Sequence, residues 1–243
     1  MQETVTPYKS ESGNKKQQVA RMFDNIAGRY DFLNRFLSFG IDRYWRKVAV
    51  NRLKDLDPRL ILDIATGTAD LAIESLRLNP EKVFGVDISV EMLDLGRKKI
   101  KSRRLDNRIE LLEGDSENLI FEDGKFDAVM VAFGVRNFEN LEAGLKEIHR
   151  VLRPGGRAVI LEFSKPSNRF FNGLYIFYST KIAPLIGRAV SGDASAYTYL
   201  HESIAVFPSG EAFNAILSDV GFSGASAKPL TFGIVTVYCA DKK

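Results

Sequence analysis

The sequence predicts a doubly wound α/β fold built on a mostly parallel sheet of seven strands, one of them antiparallel. Two observations carry this prediction. Short apolar runs alternate five times with segments of helical periodicity between residues 60 and 163. A helical segment then leads into two last apolar runs, whose connection is too short for a parallel crossover. We expect the helices to cover both faces of the sheet through right-handed crossovers.

Each element has its own local signal. Strands are predicted at 60–64, 83–87, 108–112, 126–133, 157–163, 222–227 and 232–240. Helices are predicted at 70–78, 92–100, 141–152 and 211–220, with Ser89 placed to cap the second. Serines stand where the second and fourth of these helices begin, and glycine or proline stands where helices end. The strongest of these breakers is Pro154-Gly155-Gly156, which precedes the fifth strand.

The strands belong to a single predicted domain over 19–243, preceded by a tail over 1–18 that lacks periodicity and is expected to be flexible. Apolar residues recur at helical spacing over 19–56, which predicts a helical lid in two or three pieces. The segment 164–208 is rich in aromatic residues and too long for a plain loop. We expect it to be a helical insertion that covers the substrate.

Composition excludes several classes of protein. With 45% hydrophobic and 27% charged residues and a net charge of +3, the chain resembles an ordinary globular protein. Cys239 is the single cysteine, so no internal disulfide or cysteine-rich zinc site is expected, and no other metal site is predicted. No signal peptide and no run of ~20 apolar residues occurs. We therefore expect a cytoplasmic protein, or one that lies on the membrane.

Polar residues cluster at four predicted strand ends, in the segments 63–70, 87, 115–116 and 132–137. In an open parallel sheet, ligands bind at the carboxyl ends of the strands. The first turn contains one glycine, Gly67, instead of the three that a dinucleotide site requires. Its carboxylates, Asp63 and Asp70, repel phosphate but suit a cationic ligand. The alternative interpretation is that both only cap the following helix. S-adenosylmethionine, which carries a sulfonium and an ammonium but no phosphate, fits this turn better.

The two later carboxylates suit a nucleoside. Asp87 ends the second strand, where a carboxylate accepts hydrogen bonds from both ribose hydroxyls. Asp115, with Ser116 beside it, can accept from an adenine amino group, and a solvated turn is the alternative interpretation for Asp115. The spacing to Asp87 is shared by nicotinamide and S-adenosylmethionine proteins, so it selects a nucleoside and not a reaction.

Together these segments resemble the class I methyltransferase signature and, more closely, the menaquinone and ubiquinone biosynthesis C-methyltransferases. The resemblance extends from Val19 to the C-terminus, and its most specific motifs are Tyr30-Asp31-x-x-Asn34, Ser38-x-Gly40, Trp45-Arg46, Phe133-Gly134-Val135-Arg136-Asn137 and Tyr199-Leu200-x-Glu202-Ser203. It implies S-adenosyl-L-methionine as cofactor. The predicted cofactor-binding residues are Asp63, Gly67, Thr68, Asp87, Asp115 and Ser116. Ala132 departs from the family, which often has a small polar residue there.

The resemblance implies methyl transfer to a ring carbon of a prenylated quinol. A ring carbon is a weak nucleophile unless a neighbouring hydroxyl is ionised, so the site needs a base or an electrostatic aid. Arg136 is predicted to stabilise the quinolate oxygen, and His201 and Tyr199 are the other catalytic candidates. His149 is expected at the surface.

The predicted substrate-binding residues are Tyr30, Asn34, Asn137, Phe171 and Tyr175. The aromatic stretch around Phe171 and Tyr175 is expected to hold the prenyl tail or to rest in a bilayer interface. A cover helix or a dimer contact is the alternative. The predicted partners are thus the prenylated quinol and a membrane surface, at the inner face of the cell membrane. No nucleic-acid partner is expected, and a homodimer is left open.

Demethylmenaquinol is the preferred acceptor, since the turn from Ala65 to Asp70 resembles the menaquinone-pathway members. A benzoquinol of the ubiquinone route is the alternative. A nucleic-acid methyltransferase is less favoured because no separate basic or aromatic binding module is visible. A nicotinamide oxidoreductase is disfavoured by the single-glycine turn. A non-catalytic subunit is disfavoured by Asp87, Asp115 and Arg136.

Overall fold

The computed structural model describes residues 5–8, 13–166, 168, 173 and 194–243. Its strands are β1 (Leu60–Ile64), β2 (Lys82–Asp87), β3 (Ile109–Glu113), β4 (Phe126–Ala132), β5 (Leu152–Phe163), β6 (Ser223–Leu230) and β7 (Val235–Asp241). Its helices in the described ranges are α1 (Lys15–Leu37), α2 (Asp42–Asn51), α3 (Asp70–Ser75), α4 (Val90–Ser102), α5 (Leu141–Val151), α6 (Ala194–Val206) and α7 (Glu211–Asp219).

The seven strands form one sheet in the order β3-β2-β1-β4-β5-β7-β6, which confirms the predicted fold class. Strands β1 to β5 pair in parallel, whereas β7 runs antiparallel to both β5 and β6. Only residues 231–234, which include the short helical turn Thr231–Gly233, join β6 to β7. A connection of this length cannot cross the sheet, so the two strands form a hairpin.

Apolar residues alternate along the central strands and make a core on each face. On one face, Val129 and Val131 of β4 pack with α5 and α7. On the other face, Ala128 and Met130 pack with α2, α3 and α4. Buried residues of α1 form a third cluster with Met92 of α4 and with α6. Helices α1 and α6 thus pack together beside α4.

Several boundaries differ from the sequence prediction: α3 ends at Ser75, β6 extends to Leu230 and β7 begins at Val235. Two further differences have clear physical reasons. Helix α1 begins at Lys15 instead of Val19, because the Asn14 side chain accepts a hydrogen bond from the backbone of Gln17 and caps it. Strand β5 begins at Leu152, directly after α5, and contains the Pro-Gly-Gly breaker. The breaker ends the helix as expected, but the chain continues in extended form, with a register irregularity against β4.

Cys239 is a buried free thiol, as predicted. His149 is half-buried and packs edge-on against the ring of Phe222, so it is less exposed than expected. Within the described part of the chain, no helix is both long and apolar enough to cross a membrane.

Candidate active site

The loop after β1 places backbone N–H groups at the carboxyl end of the sheet. Ala65, Gly67 and Ala69 all adopt positive φ, at 53°, 55° and 66°, so the chain curls tightly before α3 begins. Thr66 N–H donates to the carbonyl of Val86 in the next strand (3.1 Å). Gly67 N–H donates to Asp87 Oδ2 (2.7 Å). The first turn and the end of β2 are therefore held as one unit.

A first cavity, which we call the polar cavity, lies where the ends of β1 to β4 meet. Six of the predicted site residues line it, namely Tyr30, Gly67, Asp87, Asp115, Ser116 and Asn137. The other lining residues include Lys16, Phe23, Ile88, Ala132 and Phe133. The cavity measures about 70 Å³, whereas small-molecule pockets commonly reach several hundred Å³. Helix α1 narrows it, because Lys16, Phe23 and Tyr30 lie along one side.

Asp87 is oriented by backbone donors. Its Oδ1 accepts from Ser89 N–H (2.9 Å) and its Oδ2 from Gly67 N–H (2.7 Å). Burial raises the pKa of the Asp87 carboxyl, while these N–H groups act in the opposite direction and favour the carboxylate. The result is a fixed acceptor with lone pairs left for a ligand hydroxyl.

Asp115 and Ser116 line the polar cavity together with Gly67 of the first turn. Asp115 Oδ2 accepts from the ammonium of Lys16 (2.6 Å), which also lies 3.4 Å from Glu117. Asp115 Oδ1 accepts from Glu117 N–H (2.9 Å). Lys16 was not predicted as a site residue, because its location in a segment without periodicity gave no signal that α1 extends to this cavity.

Two predicted cofactor residues lie outside the lining of the polar cavity. Asp63 is 1% exposed below the turn, and its Oδ2 accepts from Thr66 Oγ1 (2.7 Å). Burial raises the pKa of Asp63 to about 7, and Oδ1 has no hydrogen-bond partner. Thr68 is turned towards α1 and α4: its hydroxyl donates to Asp31 (2.5 Å) and accepts from Lys99 (2.9 Å).

A second cavity, the apolar cavity, lies between α1, α2 and α6 and measures about 490 Å³. Five predicted residues line it, namely Tyr30, Asn34, Arg136, Tyr199 and His201. Most of its remaining wall is apolar, including Met22, Ile26, Leu33, Leu37, Trp45, Phe163, Ala196 and Ile204. Asn137, predicted to bind substrate, lies in the polar cavity instead. Phe171 and Tyr175 lie outside the described residues.

The two cavities share a wall. Phe23, Tyr30 and Phe133 line both of them. Phe133 follows β4 with a positive φ of 58°, which turns the chain sharply at the sheet edge. Gly134 next to it is needed for close approach, because a Cβ there would lie 2.6 Å from the Cβ of Ala65. A ligand in either cavity therefore faces the other across a few aromatic side chains.

Arg136 enters the apolar cavity from the short helical turn after β4, paired with Glu162 of β5. The Nη1 of Arg136 lies 2.8 Å from Glu162 Oε1 and 2.5 Å from the carbonyl oxygen of Phe133. The backbone N–H of Arg136 donates to Glu162 Oε2 (3.3 Å). The carboxyl group is fully buried, and burial raises its pKa although Arg136 favours the ionised form. The Nε of Arg136 is buried without a hydrogen bond. No sequence signal identified Glu162, which appears only as one polar residue inside an apolar strand.

Tyr199 and His201 both belong to α6. The hydroxyl of Tyr199 donates to Oδ1 of Asn137 (3.1 Å). This hydrogen bond links a residue that lines the apolar cavity to one that lines the polar cavity. Burial raises the pKa of Tyr199 well above its usual range, which keeps the hydroxyl protonated at neutral pH. Tyr199 is therefore a hydrogen-bond donor here and not a base. His201 is half-buried and lines the apolar cavity.

The polar cavity has the chemistry that S-adenosyl-L-methionine requires. Two of its carboxylates, Asp87 and Asp115, can accept hydrogen bonds from nucleoside hydroxyl and amino groups, and they repel phosphate. Asp63, just below the turn, is outside the cavity lining but adds a buried carboxyl group whose Oδ1 has no hydrogen-bond partner. Asp87, Asp115, Ser116 and the backbone of the first turn would hold the nucleoside. Ala132 lines the cavity but offers no side-chain hydrogen bond.

Comparison with known sequences gives extensive matches. The sequence profile of the ubiE/COQ5 methyltransferase family matches residues 11–242. The demethylmenaquinone methyltransferase of Bacteroides fragilis is 47% identical over 242 residues, covering 99% of this chain and 98% of the relative. The protein of Geotalea uraniireducens named ubiquinone/menaquinone biosynthesis C-methyltransferase UbiE is 47% identical over 230 residues, covering 94% of this chain and 97% of the relative.

Solved structures agree with the fold. A SAM-dependent methyltransferase of Thermotoga maritima superposes with a TM-score of 0.62 at 20% identity, over 92% of this chain and 99% of that one. A SAM-dependent methyltransferase of Aquifex aeolicus gives a TM-score of 0.55 at 18% identity, over 75% of this chain and 81% of that one. Similarity at this level of identity supports the architecture and not a particular substrate.

Proposed function

Because the chain belongs to the ubiE/COQ5 methyltransferase family, we propose that it transfers a methyl group from S-adenosyl-L-methionine to a ring carbon of a prenylated quinol. The observation that carries the proposal is the shared wall between the polar and apolar cavities, formed by Phe23, Tyr30 and Phe133. The polar cavity suits a nucleoside with a cationic group. The apolar cavity suits a hydrocarbon tail with an aromatic head.

S-adenosyl-L-methionine, when bound, supplies an electrophilic methyl group on its sulfonium. The protein has to make the ring carbon nucleophilic, which requires negative charge on the neighbouring oxygen. Arg136 can stabilise that oxygen, because its charge is held in an apolar, water-poor cavity where electrostatic interactions are strong. His201 is the candidate that accepts the hydroxyl proton. After methyl transfer, loss of the ring hydrogen as a proton restores the aromatic ring.

The preferred acceptor is demethylmenaquinol. The turn from Ala65 to Asp70 resembles menaquinone-pathway members, and the relatives from Bacteroides fragilis and Porphyromonas gingivalis, at 47% and 46% identity, are named demethylmenaquinone methyltransferase. The name of the Geotalea relative also includes ubiquinone, which keeps the benzoquinol as the second candidate.

A prenylated quinol resides in a bilayer, so the protein has to meet its substrate at a membrane surface, on the inner face of the cell membrane. The aromatic insertion that predicted a membrane or dimer contact lies mostly outside the described residues. The role of that segment and a homodimer stay predictions.

Narrowing the apolar cavity tests the proposal. Ala196 lines this cavity and is 7% exposed, so Ala196→Trp is expected to fill part of it. With reduced demethylmenaquinones of increasing prenyl length, we expect KM to rise at least about tenfold for long tails and less for short ones. The matched control is Ala205→Trp, an exposed position on the same helix. Equal KM values for both variants at every tail length would exclude the apolar cavity as the tail site.

A further inference from the structure

The surface at the end of α1 and the start of α2 has an unusual composition. Every exposed residue between positions 32 and 47 is either apolar or basic: Phe32, Arg35, Phe36, Phe39, Ile41, Arg43, Tyr44 and Lys47. We call this set the docking face. The acidic residues nearby are already paired: Asp31 with Lys99 (2.7 Å) and the buried Asp42 with Arg46 (2.5 Å). The docking face is therefore positively charged, although the chain as a whole is nearly balanced, with 34 basic and 31 acidic residues.

Its aromatic side chains are among the most exposed in the described chain. Phe39 is 82% exposed, and Phe232, which also lines the apolar cavity, is 66% exposed. Both have positive φ, 52° and 58°, a conformation that bulky residues rarely adopt. Phe32 and Phe36 stack one turn apart on α1, with ring centroids 5.8 Å apart. Grouped exposed aromatics of this kind mark an interaction surface.

The docking face is continuous with the apolar cavity. Phe39, Ile41 and Phe232 line that cavity and also reach the exterior. The mouth of the cavity therefore opens within a ring of exposed apolar groups. A hydrocarbon tail could pass through this mouth without contact with water only if another apolar phase covered it.

We propose that the docking face seats on an anionic lipid bilayer, with its aromatic side chains in the interface and Arg35, Arg43 and Lys47 against acidic headgroups. This proposal rests on the proposed function, since the cavity is taken to admit a prenyl tail from the bilayer. Aromatic and basic residues together are the composition that binds anionic membrane surfaces. A second copy of the chain fits less well, because symmetric contact would bring like charges together.

Sedimentation with vesicles tests the proposal. Wild-type protein is expected to bind vesicles of phosphatidylcholine mixed with phosphatidylglycerol more tightly than vesicles of phosphatidylcholine alone. The triple variant Arg35→Gln, Arg43→Gln, Lys47→Gln is expected to lose on the order of a hundredfold in partition to the anionic vesicles. Its matched control removes the same charge from the exposed end of α4, through Lys98→Gln, Lys101→Gln and Arg103→Gln.

Separate variants test the apolar residues of the docking face. Phe36→Ser with Tyr44→Ser is expected to weaken binding to both vesicle types, whereas Ile120→Ser, which removes an apolar group 70% exposed elsewhere, is expected to have no effect. If the docking-face variants and their control variants lose vesicle binding to the same extent, the proposal is overturned. Light scattering that shows a wild-type dimer dissociated by the docking-face changes would also overturn it.

The docking proposal and the proposed function fail in distinguishable ways. Methyl transfer to a short-tailed quinol, in solution without vesicles, is expected to be equal for wild type and the docking-face variants. If wild type itself transfers no methyl group there, the proposed function is wrong. If transfer occurs but vesicle binding does not depend on the docking face, only the docking proposal is wrong.

Discussion

Arg136 and Glu162 form a buried ion pair, with Nη1 2.8 Å from Oε1, at the inner end of the apolar cavity. The side chain of Glu162 is fully buried, and that of Arg136 is 7% exposed. The Arg136 guanidinium also lies over the ring of Phe163, 5.4 Å from its centroid. Glu162 thereby fixes the direction of a charge that faces the substrate cavity. Glu162 is a positioning residue, since it acts through Arg136.

Glu162→Gln is expected to lower turnover by about tenfold or more while leaving the dissociation constant of S-adenosyl-L-methionine unchanged, because Arg136 loses its orientation. The free energy of unfolding should fall by about 3 kcal/mol, since the arginine charge stays buried without its partner. Single-turnover rates, cofactor titration and denaturant unfolding measure the three quantities.

A second substitution separates positioning from stability. Glu162→Asp retains the charge with a shorter side chain and should recover stability more than turnover. Adding Arg136→Met to Glu162→Gln should recover stability but not activity. Turnover that simply follows the folded fraction across these variants would show that the ion pair has only a structural role.

Asp87→Ala is expected to weaken S-adenosyl-L-methionine binding by about a hundredfold. The substitution removes a charged acceptor for the ligand and frees Gly67 N–H, which donates to Asp87 at 2.7 Å. Isothermal titration measures the affinity, and circular dichroism checks the fold. Asp94→Ala is the control, because Asp94 is an exposed carboxylate on α4 that pairs with Arg97. Unchanged affinity in Asp87→Ala would move the cofactor site elsewhere.

The buried carboxyl of Asp63 predicts a pH-dependent stability. Its pKa is raised from 3.8 to about 7 in the folded protein, so folding favours the protonated form. The corresponding stabilisation is fully present below pH 3.8 and is lost as pH rises to about 7. Denaturant unfolding without cofactor should show stability falling over this window. Asp63→Asn should reduce the slope of the free energy of unfolding against pH. If that slope is unaltered in the variant, other groups cause the pH dependence.

Helix α1 is expected to act as a lid over the polar cavity, anchored by Asp31. One oxygen of Asp31 accepts from Thr68 (2.5 Å) and the other lies 2.7 Å from Lys99. Since the cavity is narrow with α1 in place, cofactor exchange requires this helix to move. Asp31→Asn should therefore speed dissociation of S-adenosyl-L-methionine several-fold in stopped-flow measurements. Arg77→Gln, which disrupts a surface pair with Glu74, should not change that rate.

The fold could be predicted from sequence because its signals are local and repeated. The continuous apolar run of β1, the glycine-containing turn and Asp87 at the next strand end are each a few residues long. Their meeting at one sheet edge follows from parallel topology alone. The antiparallel strand was also predictable, since the link between the last two strands is too short to cross the sheet.

Side-chain direction could not be predicted in the same way. Thr68 belongs to the cofactor turn in sequence, yet its hydroxyl binds Asp31 of α1, more than thirty residues away. Glu162 appeared as part of an apolar strand, and only the packing of β4 against β5 shows that it faces Arg136. Such pairings depend on long-range contacts, which leave no periodic trace in the sequence.

The most direct measurement is a methyl-transfer assay with labelled S-adenosyl-L-methionine, offering reduced demethylmenaquinone and a demethylated ubiquinone precursor side by side. The account predicts that label enters a ring carbon, with demethylmenaquinol as the preferred acceptor. Arg136→Ala should lower this transfer far more than cofactor affinity. Tight cofactor binding with no label in either quinol would contradict the central claim.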